Sequence, residues 1–327
     1  MSKKLFAGRG LLLSIAIGML IISAGKLGHA MEHKGSKKAI VIACFGTTYP
    51  EALADVLDIK SSVQKAFPQW KVRLSFTSNI IRKIWQGRRD DPKYRDVPEE
   101  IRYVKGVLAT IADLQDEGYT TIIVQPTHLY AGEEFADLTS CIKALNQIRT
   151  IKPKYMPFEK LVLGRPLLGM PGPQHDYHKD LEIVARALKD DVEFAREKEA
   201  ALVYMGHGNE FYSTGAYIEL QQTMRKMYPH VRIFIGTVEG FPALDDVIKG
   251  LVHTRAKRVV LKPLMIVAGD HARNDMAGDD PDSWKNRIKA RGIEVIPIIK
   301  GLGEKRSIQQ ILIQHIKDAA RDNGISI

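Results

Sequence analysis

The sequence predicts an α/β protein whose parallel sheets form two halves related by an internal duplication. Three observations carry that reading. Short apolar runs alternate with amphipathic stretches along the chain; most runs are β-branched and lack polar alternation; and three landmarks recur in the same order in both halves. A strand covered on both faces has no polar side to show, and alternation with helices implies parallel pairing through crossovers.

In chain order, Ala39–Phe45 reads as the first strand, followed by a helix over Glu51–Ala66 and a strand over Val72–Phe76. A helix over Val97–Glu117 leads to the strand Thr121–Gln125, and a helix over Phe135–Ile148 leads to Leu161–Leu163. A long helix over Tyr177–Arg196 crosses to the strand Ala201–Met205. The pattern then repeats: helix Gly215–Met227, strand Val231–Ile235, helix Leu244–Val252, strands Arg258–Leu261 and Glu294–Ile298, and a closing helix over Ile308–Arg321.

The landmarks are a glycine after the first strand (Gly46, Gly208), an aromatic-Pro pair before the second (Phe67-Pro68, Tyr228-Pro229), and a strand ending in proline. The last is Ile123–Pro126 leading to Ala131-Gly132-Glu133-Glu134, matched by Val260–Pro263 leading to Ala268-Gly269-Asp270-His271. Such recurrence argues for duplication rather than chance among generic βαβ units. The offset falls from 162 residues (Ala39/Ala201) to 137 (Pro126/Pro263), so the first half carries extra chain, placed at the charged stretch Trp85–Pro98. The Pro/Gly-rich stretch Met170–Gln174 is the expected junction, giving halves over 31–172 and 173–327.

Residues 1–30 read as a cleaved export signal. Lys3, Lys4 and Arg9 precede an uncharged run, Leu11–Gly25, and Gly28-His29-Ala30 places small residues at −3 and −1 of a cleavage site. That run is 15 residues, short of the ~20 a spanning helix needs, which disfavours an uncleaved anchor. The working protein is therefore expected in the periplasm, touching membrane only through the signal before cleavage.

Losing 1–30 removes four positive charges and no acids, so the formal charge falls from +10 to +6. That surplus suits an acidic partner, but no basic block with interleaved aromatics points to nucleic acid. Two cysteines, Cys44 and Cys141, make no disulfide scaffold and no CxxC metal knuckle; both sit in apolar settings and read as buried thiols, with a bridge permitted by an oxidising compartment.

In parallel sheets, ligand groups gather where strands end. Three such positions in the second half bear metal-binding side chains: His207 in Gly206-His207-Gly208, Glu239 in Thr237-Val238-Glu239-Gly240, and His271 in Ala268-Gly269-Asp270-His271. They are spaced 32 and 32 residues apart, one from each successive βα unit. Adjacent parallel strands lie under ~5 Å apart, so the three side chains are expected to converge on one ion. Two imidazoles and a carboxylate suit a borderline divalent metal such as Co, Ni, Fe or Zn. Each alone is weak evidence: a strand-end histidine is more often a loop or core residue, and Glu239 fits a helix N-terminus equally well. The first-half counterparts are Phe45, Asn79 or Ile80, and Glu134, so the metal site belongs to the second half. Glu133 and Glu134 remain as acids on the opposite lip, with the first turn of a solvated helix as their alternative reading.

These motifs, with Gln125-Pro126-Thr127-His128 and Cys44-Phe45-Gly46-Thr47, resemble the anaerobic sirohydrochlorin cobaltochelatase family (CbiK-type) over almost all of 38–322. The resemblance implies an ATP-independent class II chelatase with two flavodoxin-like halves facing each other across a tetrapyrrole cleft. It places the family's metal-binding histidines and glutamate on His207, His271 and Glu239, and its cleft acid on Glu133 or Glu134. The export signal departs from relatives that serve cobalamin synthesis.

The expected reaction is insertion of Co2+, with Fe2+ and Ni2+ as alternatives, into sirohydrochlorin. Its carboxylates would be held by Arg and Lys side chains. His207 is the first choice of base for the pyrrole protons, with Glu133 or Glu134 as relay. Two other readings follow from the compartment. One is tetrapyrrole or haem binding, with His128 the axial candidate among His128, His175, His178, His230 and His253, each otherwise a surface or loop residue. The other is a periplasmic metal- or solute-binding protein. The sequence leaves a homo-oligomer open.

Overall fold

The computed structural model describes residues 37–327; the export signal expected over 1–30 lies outside the described residues. The described residues form one compact unit holding two four-stranded parallel sheets. The first comprises β1 (Lys37–Cys44), β2 (Lys71–Phe76), β3 (Tyr119–Pro126) and β4 (Lys160–Leu163), ordered β2-β1-β3-β4. The second comprises β5 (Ala201–Gly208), β6 (Ile233–Glu239), β7 (Arg258–Leu264) and β8 (Glu294–Pro297), ordered β6-β5-β7-β8. The same order in both sheets is the topology the duplicated landmarks predict.

The helices of the first half are α1 (Leu53–Ala66), α2 (Asn79–Arg88), α3 (Glu99–Arg102), α4 (Val107–Asp116) and α5 (Glu133–Leu145). Those that follow are α6 (Tyr177–Ala187), α7 (Lys189–Glu197), α8 (Gly215–Met227), α9 (Leu244–His253), α10 (Trp284–Lys289) and α11 (Arg306–Asp322). No described helix is long and apolar enough to cross a membrane.

Alternate residues of each central strand serve different cores, as the two-residue pleat requires. Ile40, Ile42 and Cys44 of β1 join Leu202 and Tyr204 of β5 in one large core, whereas Ala39, Val41 and Ala43 face one outer layer and Ala201, Val203 and Met205 the other. The shared core also takes in Val56, Ile59 and Val63 of α1, Leu220 and Met224 of α8, and Ile308, Leu312 and Ile316 of α11. The proposed division at 172/173 separates the two sheets along the chain, but α11 crosses it and packs against β3, β4 and α1. Arg165, just after β4, ties this return in place. Its Nε and Nη2 donate to both Asp180 oxygens on α6 (2.8 and 3.0 Å), and its Nη1 donates to Asp318 Oδ2 on α11 at 2.9 Å.

Several elements differ from the sequence reading. The helix expected over Val97–Glu117 is two, α3 and α4, interrupted at Val104–Gly106, where Lys105 O accepts the Phe76 N–H at 3.1 Å and closes the edge of β2. That over Tyr177–Arg196 is also two, α6 and α7, broken at Leu188 (ψ 6°). The extra chain of the first half includes α2, whose apolar residues lie on one stripe and were too few to mark a helix. Cys44 and Cys141 are both free. Burial pushes the Cys44 thiol up to about 12, against the lowering effect of a Thr127 hydrogen bond, while Cys141 is only half-buried.

Candidate active site

The C-terminal ends of both sheets border a cleft of about 510 Å³. Its walls come from the loop after β1 (Phe45–Tyr49), from α2 (Ile80, Ile81, Ile84), and from the segment after β3 (Thr127–Tyr130, with Glu134). The second half contributes His207, Gly208, Tyr217, the stretch 264–267, and Gly269, Asp270 and His271. The lining is mostly apolar, as a flat macrocycle would need. It contains no Lys or Arg, contrary to the expectation of basic groups against the substrate. The cations stand behind the wall instead. Arg82 donates to Phe76 O at 2.6 Å and Thr77 O at 2.8 Å, Arg88 donates to Thr48 O, and Arg273 stacks on Tyr49 at 5.1 Å.

His207 is the penultimate residue of β5, and Glu239 ends β6, in register with Gly208. His271 follows β7 in a loop that opens into a π-helical turn over Ala272–Met276. The two imidazoles meet edge to face with centroids 4.8 Å apart, and both line the cleft. Nδ1 of His207 lies 3.1 Å from Gly208 O; carrying a proton there, it leaves Nε2 with a free lone pair. Nδ1 of His271 faces Asp275 Oδ2 at 2.5 Å, which fixes the same tautomer. A carboxylate behind a ligand imidazole is the usual support that orients it and raises its basicity.

Glu239 meets the expectation only in part. Its Oε2 lies 3.9 Å from Nδ1 of His207, on the side of the ring turned away from the free nitrogen, and Glu239 does not line the cleft. Among the described residues, no three His, Cys, Asp or Glu side chains stand grouped to hold a metal. The three donors are neighbours but do not close on one point. A rotation of the Glu239 side chain or a flip of the His207 ring is needed to bring them onto one ion.

Glycines make this geometry possible. Gly208 has φ +81°, and a Cβ there would lie 1.7 Å from Glu239 O. Gly208→Ala is expected to unfold at lower denaturant, with a loss of at least ~2 kcal/mol. A midpoint within error of the parent would reject this.

Of the two acids on the opposite lip, Glu134 lines the cleft and Glu133 does not. The duplication partners of His207 and His271, Phe45 and Glu134, both line the cleft, with Phe45 ring-to-ring against His207 at 6.3 Å. For Glu239 the partner in the lining is Ile80; Asn79 is instead bonded to Arg82.

His128 also borders the cleft, but both ring nitrogens are sealed from solvent without a hydrogen bond, and burial lowers its pKa to about 4. An axial ligand needs a nitrogen that iron can reach, and as folded His128 offers none. His178, His230 and His253 are exposed, and His175 pairs with Asp322 at 2.6 Å.

The family model for cobalt chelatase (CbiK) matches residues 38–321. The chain belongs to this cobalt chelatase family. It is 31% identical over 284 residues to sirohydrochlorin cobaltochelatase CbiKC of Nitratidesulfovibrio vulgaris (strain Hildenborough), covering 87% of this chain and 91% of that one. It is 32% identical over 285 residues to the sirohydrochlorin cobaltochelatase of Salmonella typhimurium, covering 86% and 96%. Among solved structures, the sirohydrochlorin chelatase SirB from Bacillus subtilis subspecies spizizenii, in complex with cobalt, aligns with TM-score 0.54 at 14% identity, over 88% of this chain and 97% of that one. SirB thus shares the fold.

Sequence reasoning missed the tyrosines of this cleft. Tyr130 of the first half meets Tyr217 of the second edge to face at 5.2 Å, and Tyr217 accepts the Gly208 N–H at 3.4 Å. Burial pushes Tyr130 up to about 12 and Tyr217 higher, so both keep their protons. Only the position of Tyr130 beside the strand-end motif could have flagged it.

Proposed function

We propose that this chain inserts Co2+ into sirohydrochlorin without ATP. The observation that carries the reading is the pair His207 and His271, ring to ring, each with Nε2 free, on one side of an apolar cleft that has Glu134 on the other. The metal, a substrate here, is taken by the two imidazoles, with Glu239 joining after a side-chain rotation. The apolar walls hold the ring face, and the peripheral carboxylates reach toward Arg82, Arg88 and Arg273 behind the walls. Insertion releases two pyrrole protons as the metal–nitrogen bonds form. His207 is the base for the first, its Nε2 taking the proton as it releases the metal to the ring, and Glu134 takes the second and passes it to solvent.

An anaerobic assay of sirohydrochlorin with Co2+, Ni2+ or Fe2+, followed by absorbance, tests the reaction and ranks the metals. Metallation by Co2+ above the uncatalysed rate is the expected result; no acceleration with any of the three would reject it. Haem added in a parallel cuvette checks the transport reading, which predicts a shifted Soret band. The sequence of 1–30 further supports export to the periplasm, so fractionation of expressing cells should recover a shortened chain in the periplasmic extract.

A further inference from the structure

The loop that carries His271 is gripped from the other half of the molecule. Ala268 N–H donates to Asp55 Oδ2 on α1 at 3.1 Å, across 213 residues of sequence. Two residues on, Asp270 Oδ1 accepts the Tyr49 hydroxyl at 2.7 Å and Asn274 Nδ2 at 2.8 Å. Arg273 lies over the Tyr49 ring at 5.1 Å, and a Cβ at Gly269 would touch Thr47 Oγ1 at 3.4 Å. Asp55 is itself buried and tightly enclosed: a side chain at Gly301 would meet its carboxylate at 2.4 Å, and one at Gly303 its backbone oxygen at 2.3 Å. His271 thus hangs from a turn pinned on both sides by residues of the half that carries no metal-binding imidazole. The hydrogen bonds of Tyr49 and Asp55 go to Asp270 and to the Ala268 N–H rather than to His207, Glu239 or His271, so these two act through the loop.

We propose that Tyr49 and Asp55 are positioning residues for metal capture: they clasp 268–270 to the first half and so set where His271 presents Nε2. This rests on the reading of His271 as a metal ligand. It gives the half without metal-binding imidazoles a role at the ion. It also links cleft to metal site, since Tyr49 is at once a wall of the cleft and an anchor of the loop.

The test uses the full chain and Co2+ alone, titrated calorimetrically. Tyr49→Phe and Asp55→Ala are each expected to weaken Co2+ binding about tenfold, in the range of supporting-shell residues. Asp55→Asn, which keeps an oxygen to accept the Ala268 N–H, is expected to bind within about twofold of the parent. Made in a His271→Ala background, Tyr49→Phe and Asp55→Ala should cost nothing further, because residues acting through one group are not additive. A general loss of stability would instead weaken both backgrounds alike. Unchanged affinity, or equal losses with and without His271, overturns the proposal. Hydrogen exchange across 266–271 gives an independent readout and should rise in Tyr49→Phe and Asp55→Ala. If the parent bound no Co2+, the functional reading would fall, and exchange would still decide the clasp: unaltered exchange overturns it.

Discussion

His207→Ala is expected to slow metal insertion by about 10²–10⁴-fold, the usual worth of a positioned acid–base group, while leaving the fold in place. The reason for the large kinetic effect is that this ring serves twice. In the proposed reaction its Nε2 takes first the metal and then the first pyrrole proton, while its Nδ1 is committed to Gly208 O and its ring packs against that of His271. The small structural effect follows from its surroundings. The His207 side chain is 31% exposed and, among the described residues, its ring contacts are with Phe45 and His271 at the cleft edge. A substitution of this kind changes stability by about 0.5 kcal/mol or less. Rates measured anaerobically with saturating Co2+ and sirohydrochlorin, alongside a thermal melt, check both halves of the statement. Parent-like turnover would remove His207 from the chemistry. A large fall in melting temperature would make it a structural residue.

The second large effect concerns stability and pH. Asp55 is buried, and only Oδ2 is hydrogen-bonded; Oδ1 has no completed partner, although the Glu304 N–H lies nearby. Burial, the dominant cause, raises its pKa from 3.8 to about 7 against the opposing effect of the Ala268 N–H. The folded state therefore binds this proton more tightly than the unfolded chain. Its contribution is fully present below pH ~4 and is lost as pH rises through ~7. The span corresponds to a ceiling on the order of 4 kcal/mol at one pKa unit per 1.36 kcal/mol. Asp55→Asn removes this dependence. We expect the variant to exceed the parent in denaturant resistance at pH 8, with the gap closing by pH 4. Parallel curves for the two proteins across that range would show that the carboxylate ionises freely in the fold. Because the same variant is expected to keep its Co2+ affinity, the shape of the acceptor is separable from its charge.

His128 acts in the opposite sense and does not disturb that comparison, being present in both proteins. Its folded pKa is depressed to about 4, so its contribution is present above ~6.5 and is lost as pH falls toward 4.

The sequence by itself determined two parallel-sheet halves that repeat each other and the positions of His207, Glu239 and His271 at their strand ends. These are local matters: runs of apolar residues define strands, and glycines beside a strand end mark where the chain turns. Duplication extended that reading, since a counterpart such as Phe45 or Glu134 needs only an offset. Helix breaks at Val104–Gly106 and Leu188 escaped it because the apolar pattern runs on through both. Only the tertiary structure could choose Glu134 over Glu133, since adjacent helical residues point about 100° apart and the phase is set by packing. The same holds for the direction of Glu239, which depends on side-chain torsions that composition does not encode. Tyr49 and Asp55 lay furthest from view. Their partners are more than 200 residues away in sequence, at separations of 221 and 213, and bonds across such distances leave no local pattern to read.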